Sequence, residues 1–249
     1  MLLTASRAHT LHCKMPIAQT VEHHPLYGDI KISINSRARN IILRARAGII
    51  EVTLPPRAGR ADFLKVLDKY GKKLLAECRE NMPAKIDADY KIEKENFSFM
   101  LAAGSGSRYF IRYDGQSATL FCPATTDFSD ENTQELLRRI RVTALHRVAK
   151  EYLSQRLKML AAKHGFFYNA VSLRSSRTRW GSCSNKRNIS LSIYLQLLPT
   201  HLADYVILHE LCHTVEMNHG VSFWALMDKV TAGKAKQLRA ELKKYKPAF

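Results

Sequence analysis

The residues able to do chemistry are concentrated in His209-Glu210-Leu211-Cys212-His213, with His219 six positions further on. Histidines four apart on a helix stand one turn above each other on one face, so both imidazoles can reach a single ion. The glutamate between them sits beside that ion, where it can take a proton from a water that the ion activates. His219 lies just past the helix and can turn back as a third ligand. Three protein ligands leave the fourth tetrahedral position open, which is the layout of a catalytic zinc ion, one per chain, and not of a structural one. For this composition the pattern with its third histidine arises by chance at a frequency of roughly 0.1%, which sets aside a core histidine pair that merely matches it. Cys212 lies between the ligands but points around the helix towards the core, so it reads as packing.

The elements that must hold this group can be placed from periodicity and punctuation. Pro199-Thr200 starts the metal helix. Tyr205-Val206-Ile207-Leu208 is more apolar than a solvated helix needs, and Leu208, Leu211, Cys212 and Val215 fall at core-facing spacing. After His219-Gly220 a further helix opens near Ser222, whose Phe223-Trp224 should clamp the loop carrying His219. A basic helix follows from about Gly233 to Tyr245. Upstream, Ser129 or Asp130 caps a long helix that ends at His164-Gly165. Its Leu137, Ile140, Ala144, Val148, Tyr152 and Leu160 should face the core, and Arg138, Arg139, Arg141, Arg147 and Lys150 should face outward. Between the two helices come strands at Ala170–Leu173 and Ile189–Leu195, joined through a turn at Asn185–Asn188.

The N-terminal half is richer in strands. Alternating Ile30, Ile32 and Ile34, then Ile41–Leu43 and Ile49–Leu54, read as strands, and Pro55-Pro56 ends the last of them. A helix runs from Arg60 to Glu80, and residues 84–95 read as a polar linker. Strands at Phe97–Ala102, Tyr109–Tyr113 and Ala118–Phe121 follow, the last two joined by Asp114-Gly115. No internal repeat is visible. The expectation is an α+β protein in three parts: a flexible extension over 1–25, a β-rich lobe with one helix over 26–125, and the catalytic core over 126–249.

Composition narrows the functional classes. A chain of 249 residues that is 46% hydrophobic can bury a substantial core, yet no apolar run approaches the ~20 residues of a membrane span. The N-terminus lacks the compact apolar centre of a secretory signal; Arg7 and Lys14 without an acid before Glu22 would suit an organellar leader, but a flexible tail or a start at Met15 reads better. The five cysteines, Cys13, Cys78, Cys122, Cys183 and Cys212, are scattered and fit reduced thiols in the cytoplasm. The formal net charge is +17, and no acid stands between Glu151 and Asp204, a stretch holding eight Lys and Arg residues from Arg156 to Arg187. Such a field attracts polyanions, nucleic acid or nucleotides, although a solvated basic face accounts for it equally well.

Several separated motifs, in order, resemble one family: Arg179-Trp180-Gly181-Ser182-Cys183-Ser184, Ile189-Ser190-Leu191, Pro199, Tyr205 to His213, Asn218-His219 and Phe223-Trp224. Together they look like the YgjP-like metal-dependent hydrolases, zincin-type proteins distantly similar to Spartan-like proteases, with looser similarity over about residues 28–245. The resemblance implies a zincin-like metallopeptidase core of a long helix, a small sheet and the H-E-x-x-H helix, with His209, His213 and His219 as zinc ligands and Glu210 as general base. It also implies that the strand Ile189–Leu195 is the active-site edge strand beside the metal helix. Ser192 stands where the family usually has Asn, and Gly220 where Ser is frequent, which bears on the substrate groove and not on the ligands. The six-residue spacing from His213 to His219 is that of metzincins, but Glu216 replaces their glycine.

Three functions remain open on sequence. A zinc peptidase would cleave a polypeptide bound along an edge strand, with Arg177, Arg179 or Tyr194 as oxyanion helpers. A nucleotide phosphoanhydride hydrolase would use Arg177, Arg179, Lys186 and Arg187 to neutralise phosphates, although histidine-rich ligation favours zinc and acyl chemistry. A nucleic-acid-associated protease would use the charge as a scaffold contact. A purely structural zinc would leave Glu210 without a purpose.

Overall fold

In the computed structural model, residues 19–46, 48–80 and 84–247 are described. Residues 1–18, with the leader, Met15 and Cys13, lie outside them. The chain divides into two compact units, Met1–Ala84 and Lys85–Phe249. Sequence reasoning set the corresponding boundary at 125/126; the structure sets it at 84/85, because Phe97, Phe99 and Leu120 share a core with Leu137 and Leu145.

The first unit holds β1 (Gln19–His24), β2 (Gly28–Ile34), β3 (Ile42–Arg46), β4 (Ile49–Leu54) and α1 (Arg60–Glu80). β1 occupies part of the expected flexible extension, pairing antiparallel with β2 from Gln19↔Ser33 to His24↔Gly28. The sheet order is β1-β2-β4-β3. Ile30, Ile50, Val52 and Leu54 on its inner face pack with Phe63 and Leu67 of α1.

The second unit begins with β5 (Lys91–Lys94), β6 (Phe97–Ala103), β7 (Phe110–Asp114) and β8 (Ser117–Cys122), in the order β5-β6-β8-β7. β5 lies in the stretch expected to be a linker and pairs with β6. In both sheets two antiparallel outer pairs flank one parallel central pair, and a long helix follows. This is a topological repeat that residue identities do not announce.

The long helix α2 (Glu131–His164) starts on Asp130, whose side chain accepts from Thr133 N–H, and stops at Gly165 with φ 72°. A left-handed stop is where glycine carries no Cβ penalty. One face of α2 buries Leu137, Ala144, Leu145, Val148, Leu153 and Leu157. Arg141, expected outside, is buried and donates to the Tyr90 hydroxyl with its guanidinium over the Tyr90 ring. Gln134 is buried too: it accepts from Ile86 N–H at 3.0 Å and donates to the carbonyls of Ile86 and Phe128.

A three-stranded sheet follows: β9 (Ala170–Arg174), β10 (Gly181–Cys183) and β11 (Asn188–Ser192), in the order β10-β11-β9. Two corrections arise. The chain leaves the sheet at Ser192 and makes a 3-10 turn over Ile193–Leu197, and not a strand to Leu195. β11 is the central strand, and the edge strand beside the helix that bears His209 and Glu210 is β10.

α3 (Thr200–Cys212) carries the histidine motif and is buried almost all round, the pattern of a helix in the middle of a domain. Val215, expected in its core face, lies beyond its end and is exposed. α3 has no side-chain cap of its own. Instead Glu95 reaches across, accepting from Thr200 N–H at 3.0 Å and the Thr200 hydroxyl at 2.7 Å. That bond to Thr200 is the first cause holding the Glu95 carboxyl below its usual range, and its charge suits a helix N-terminus. Arg156 of α2 grips Asp204 of α3 in a two-pronged ion pair, with Nε to Oδ1 at 2.6 Å. α4 (Val221–Val230) and α5 (Ala235–Leu242) complete the unit. Among the described residues no helix is long and apolar enough to cross a membrane.

Candidate metal centre

His209 lies on the last turn of α3, and His213 is the residue that closes the helix, its N–H bonding to the His209 carbonyl. The chain then turns tightly: the N–H groups of Thr214, Val215 and Glu216 bond back to the carbonyls of Leu211 and Cys212. This turn swings His219 back over the helix end. The Nε2 of His219 lies 3.1 Å from that of His213 and 3.1 Å from that of His209. Ligand nitrogens around a tetrahedral zinc with Zn–N of about 2.0–2.1 Å stand about 3.3 Å apart, so the three atoms have the spacing such an ion needs.

The protonation states agree with that use. His213 Nδ1 lies 3.0 Å from the Glu216 carbonyl, which makes Nδ1 the N–H donor and leaves the Nε2 lone pair facing the centre. Burial first, then the neighbouring histidines and Arg239, pushes His209 down to about 3. Burial, aided by His219 and opposed by the bond to Glu216, lowers His213 as well. Neutral imidazoles are the form that ligates. Cys212 is fully buried and its thiol is pushed up to about 12 by desolvation, as a packed thiol would be.

Phe223 is the floor of the group. Its buried ring stacks on His213 at 4.5 Å and meets His209 and His219 edge-on at 4.9 and 4.7 Å. Trp224 stacks on the outer side of His219 at 6.0 Å and is itself covered by the Arg239 guanidinium. Phe223→Leu keeps an apolar floor but removes these ring contacts. It is expected to cost about 1–1.5 kcal/mol of stability, read as a lower urea midpoint at unchanged slope; a midpoint equal to wild type would remove Phe223 from this role.

Glu210 points from α3 towards β10 and is buried. Among the described residues its Oε2 has no hydrogen-bond partner, and burial, opposed by the charge of Arg179, pushes the carboxyl up to about 8. The space it occupies exists because residue 181 is glycine. A Cβ there would lie 2.6 Å from Glu210 Oε1 and 2.8 Å from Cδ. The sequence singles out Glu210 and gives Gly181 no role, because the segment Arg177 to Ser184 reads as no strand; only with β10 in place is Gly181 a strand glycine, which marks close approach of another group.

The other candidate residues are dispersed. Arg179 lines a cavity beside Glu210 together with Arg174 and His146, which sequence reasoning did not select. Arg177 donates from Nε to the hydroxyl of buried Tyr194 at 3.4 Å. Lys186 and Arg187 sit in the turn between β10 and β11, where Arg187 has φ 57° and the carbonyls of both residues accept from Asn169; neither lines the cavity. Ser192 donates to the Ser176 carbonyl at 2.8 Å, tying the segment after β9 to β11.

The chain is similar to known proteins. The family model of the YgjP-like metallopeptidase domain matches residues 39–245. Among solved structures, the crystal structure of the metallopeptidase zymogen of Pyrococcus abyssi abylysin is similar at 25% identity, over 36% of this chain and 92% of that one, with a TM-score of 0.33. Comparison with curated proteins gives no match.

Proposed function

Because the chain belongs to the YgjP-like metallopeptidase family, we propose that it is a zinc-dependent peptidase of zincin-like architecture, with His209, His213 and His219 holding the ion and Glu210 as general base. The observation that carries this reading is the convergence of three Nε2 atoms at 3.1 Å spacings beside a buried carboxylate. Three neutral imidazoles with no carboxylate among them suit zinc better than magnesium or calcium. When bound, zinc supplies Lewis acidity, polarising the scissile carbonyl and easing deprotonation of water.

The chain's own residues supply the rest. Phe223 and the turn after α3 hold the three imidazoles in register. Glu210, whose ionised form a cation held by the three histidines would favour against the burial that raises it, can as a carboxylate accept the proton and return it to the leaving amine. β10, the edge strand facing α3, offers backbone groups for an extended polypeptide. Arg179, whose charge already reaches Glu210, is the candidate for stabilising developing negative charge. Arg177, tied to the buried Tyr194 hydroxyl, and Lys186 and Arg187, in the turn between β10 and β11, do not line the cavity and are assigned to substrate binding only.

A second reading, nucleotide phosphoanhydride hydrolysis, is favoured by one observation, the arginine-lined cavity. The all-imidazole ligand set speaks against it, since phosphoryl-transfer metals are held mainly by carboxylates. The test combines metal analysis with side-by-side hydrolysis of an unfolded polypeptide and of nucleoside triphosphates. The expected result is about one zinc per chain and polypeptide cleavage that a chelator stops and zinc restores. Turnover of triphosphates alone would transfer the site to the second reading, and absence of stoichiometric metal would remove both. Mild binding to non-specific DNA that collapses with salt would add the scaffold function suggested by the charge.

A further inference from the structure

Gly181 has two neighbours. On one side it gives room to the Glu210 carboxylate; on the other it lines a cavity of about 790 Å³ that opens beside the sheet β10-β11-β9. That volume lies within the range of about 300–1,000 Å³ common to ligand clefts. The cavity is therefore separated from the proposed general base by the backbone of β10 alone, at the edge strand along which an extended polypeptide would run. A substrate residue entering it would come from within a residue or two of the bond being cut, given a rise of about 3.3 Å per extended residue.

The lining has a definite chemistry. Arg174 and Arg179 are its cations, His146 stands beside them, and among the described residues no acid lines it. Neither arginine forms an ion pair with an acid among the described residues. Ser182 and Ser190 are direct partners across the β10–β11 ladder, as Ser192 and Arg174 are across β11–β9, which puts all four on one face of the sheet. Glu210, behind Gly181, is the acid whose carboxyl feels Arg179. With two guanidiniums against that one group the recess stays positive and is edged with hydroxyl donors, and guanidinium is the group that matches a carboxylate in a planar, two-pronged fashion.

We infer that this cavity is a subsite for a peptide carboxylate, an acidic side chain or a free C-terminus close to the scissile bond, held by Arg174 and Arg179. The inference rests on the peptidase reading. A polyphosphate is the poorer occupant: the cavity has no lysine and no glycine-rich loop or helix N-terminus to supply the several donors a phosphate chain requires. The subsite makes this a peptidase that selects for negative charge next to the bond it cuts.

The test uses four fluorescent, unstructured decapeptides: blocked at both ends with a central Glu, a central Gln or a central Lys, and a neutral one with a free C-terminal carboxylate. Affinities are read by anisotropy on the full chain carrying Glu210→Gln, so that binding is measured without turnover. The expected result is that the Glu peptide, the free-terminus peptide or both bind at least about tenfold tighter than the Gln peptide. Which of the two does so identifies the source of the carboxylate. Adding Arg174→Glu should bring the acid-to-amide ratio to about one, with Arg174→Gln acting in the same direction should the charge reversal impair folding. Equal binding of all four peptides, a ratio indifferent to both Arg174 variants, or binding of inorganic triphosphate or single-stranded DNA in place of any carboxylate preference would each overturn the inference. Cleavage of the same peptides by wild type is scored separately: charge-selective binding without cleavage removes the peptidase reading alone, and cleavage without charge selection removes the subsite alone.

Discussion

Glu210→Gln is expected to lower kcat/KM for peptide hydrolysis by about 10³–10⁴-fold, the upper part of what a positioned general base contributes, while metal content stays at the wild-type level. That loss corresponds to roughly 4–5.5 kcal/mol of transition-state stabilisation. Glutamine has the shape of glutamate, so it fills the space beside Gly181 that the carboxylate occupies, but it cannot take up a proton. The histidines are untouched, and a chelator-sensitive zinc signal should persist. A second readout separates chemistry from folding. In the metal-free protein Glu210 is raised from 4.5 to about 8, so the folded state holds this proton after the unfolded state has lost it. Stability contributed by the neutral carboxyl is therefore full below about 4.5 and is lost as pH rises towards 8. His209, lowered from 6.5 to about 3, works in the opposite sense but only below 6.5, so between about 6.5 and 8 the slope belongs to Glu210 and should flatten in the glutamine variant. Activity within tenfold of wild type would show that another group takes the proton.

What could be read from the residues alone divides by distance along the chain. The histidine motif, its glutamate and the third histidine are local, and their spacing alone aligns them on one helix end. The same is true of α2, whose Asp130 cap and Gly165 stop are both within a turn of the helix they bound. The supports of the site are not local. Glu95 caps α3 from 105 residues away, and Gln134 receives Ile86 from 48 residues away; on sequence the segment containing Glu95 and Ile86 looked like a polar linker because its partners lie elsewhere. Its charge and helical position place Arg141 on the outer side, whereas the Tyr90 ring and hydroxyl make a buried position available to it. Ile189, Leu191, Ile193 and Leu195 alternate with Ser190, Ser192 and Tyr194 and so read as one long strand, but Ser192 accepts from Tyr194 N–H and ends it in a 3-10 turn. The strand's place at the edge is implied only by the resemblance, because strand order is a property of pairing that the residue pattern does not encode. The family resemblance, by contrast, rested on separated motifs in the right order and is matched over residues 39–245.

Gly181 belongs with these long-range features, and it yields the second large expected effect: Gly181→Ala should reduce kcat by about 10²-fold, the scale of loss from displacing a catalytic group by about 1 Å. Alanine is acceptable to the β10 backbone, and the atoms its Cβ would meet, Glu210 Oε1, Cγ and Cδ at 2.6–2.8 Å, all belong to one side chain, which must swing from its Cβ outward to make room. The strain is relieved by turning the carboxylate aside and not by unfolding the sheet. Metal content and thermal midpoint should stay close to wild type while turnover falls. The decisive comparison is a double-mutant cycle. With the carboxylate already removed by Glu210→Ala, residue 181 has nothing left to displace, so adding Gly181→Ala should cost no further activity. Independent, multiplying losses would mean that Gly181 acts on substrate or backbone, and the tie between the glycine of the Arg-Trp-Gly-Ser segment and the glutamate of the metal helix would be lost. Coupled losses would mean that two motifs almost thirty residues apart form one device, in which the strand supplies the absence of a side chain and the helix supplies the base that fills it.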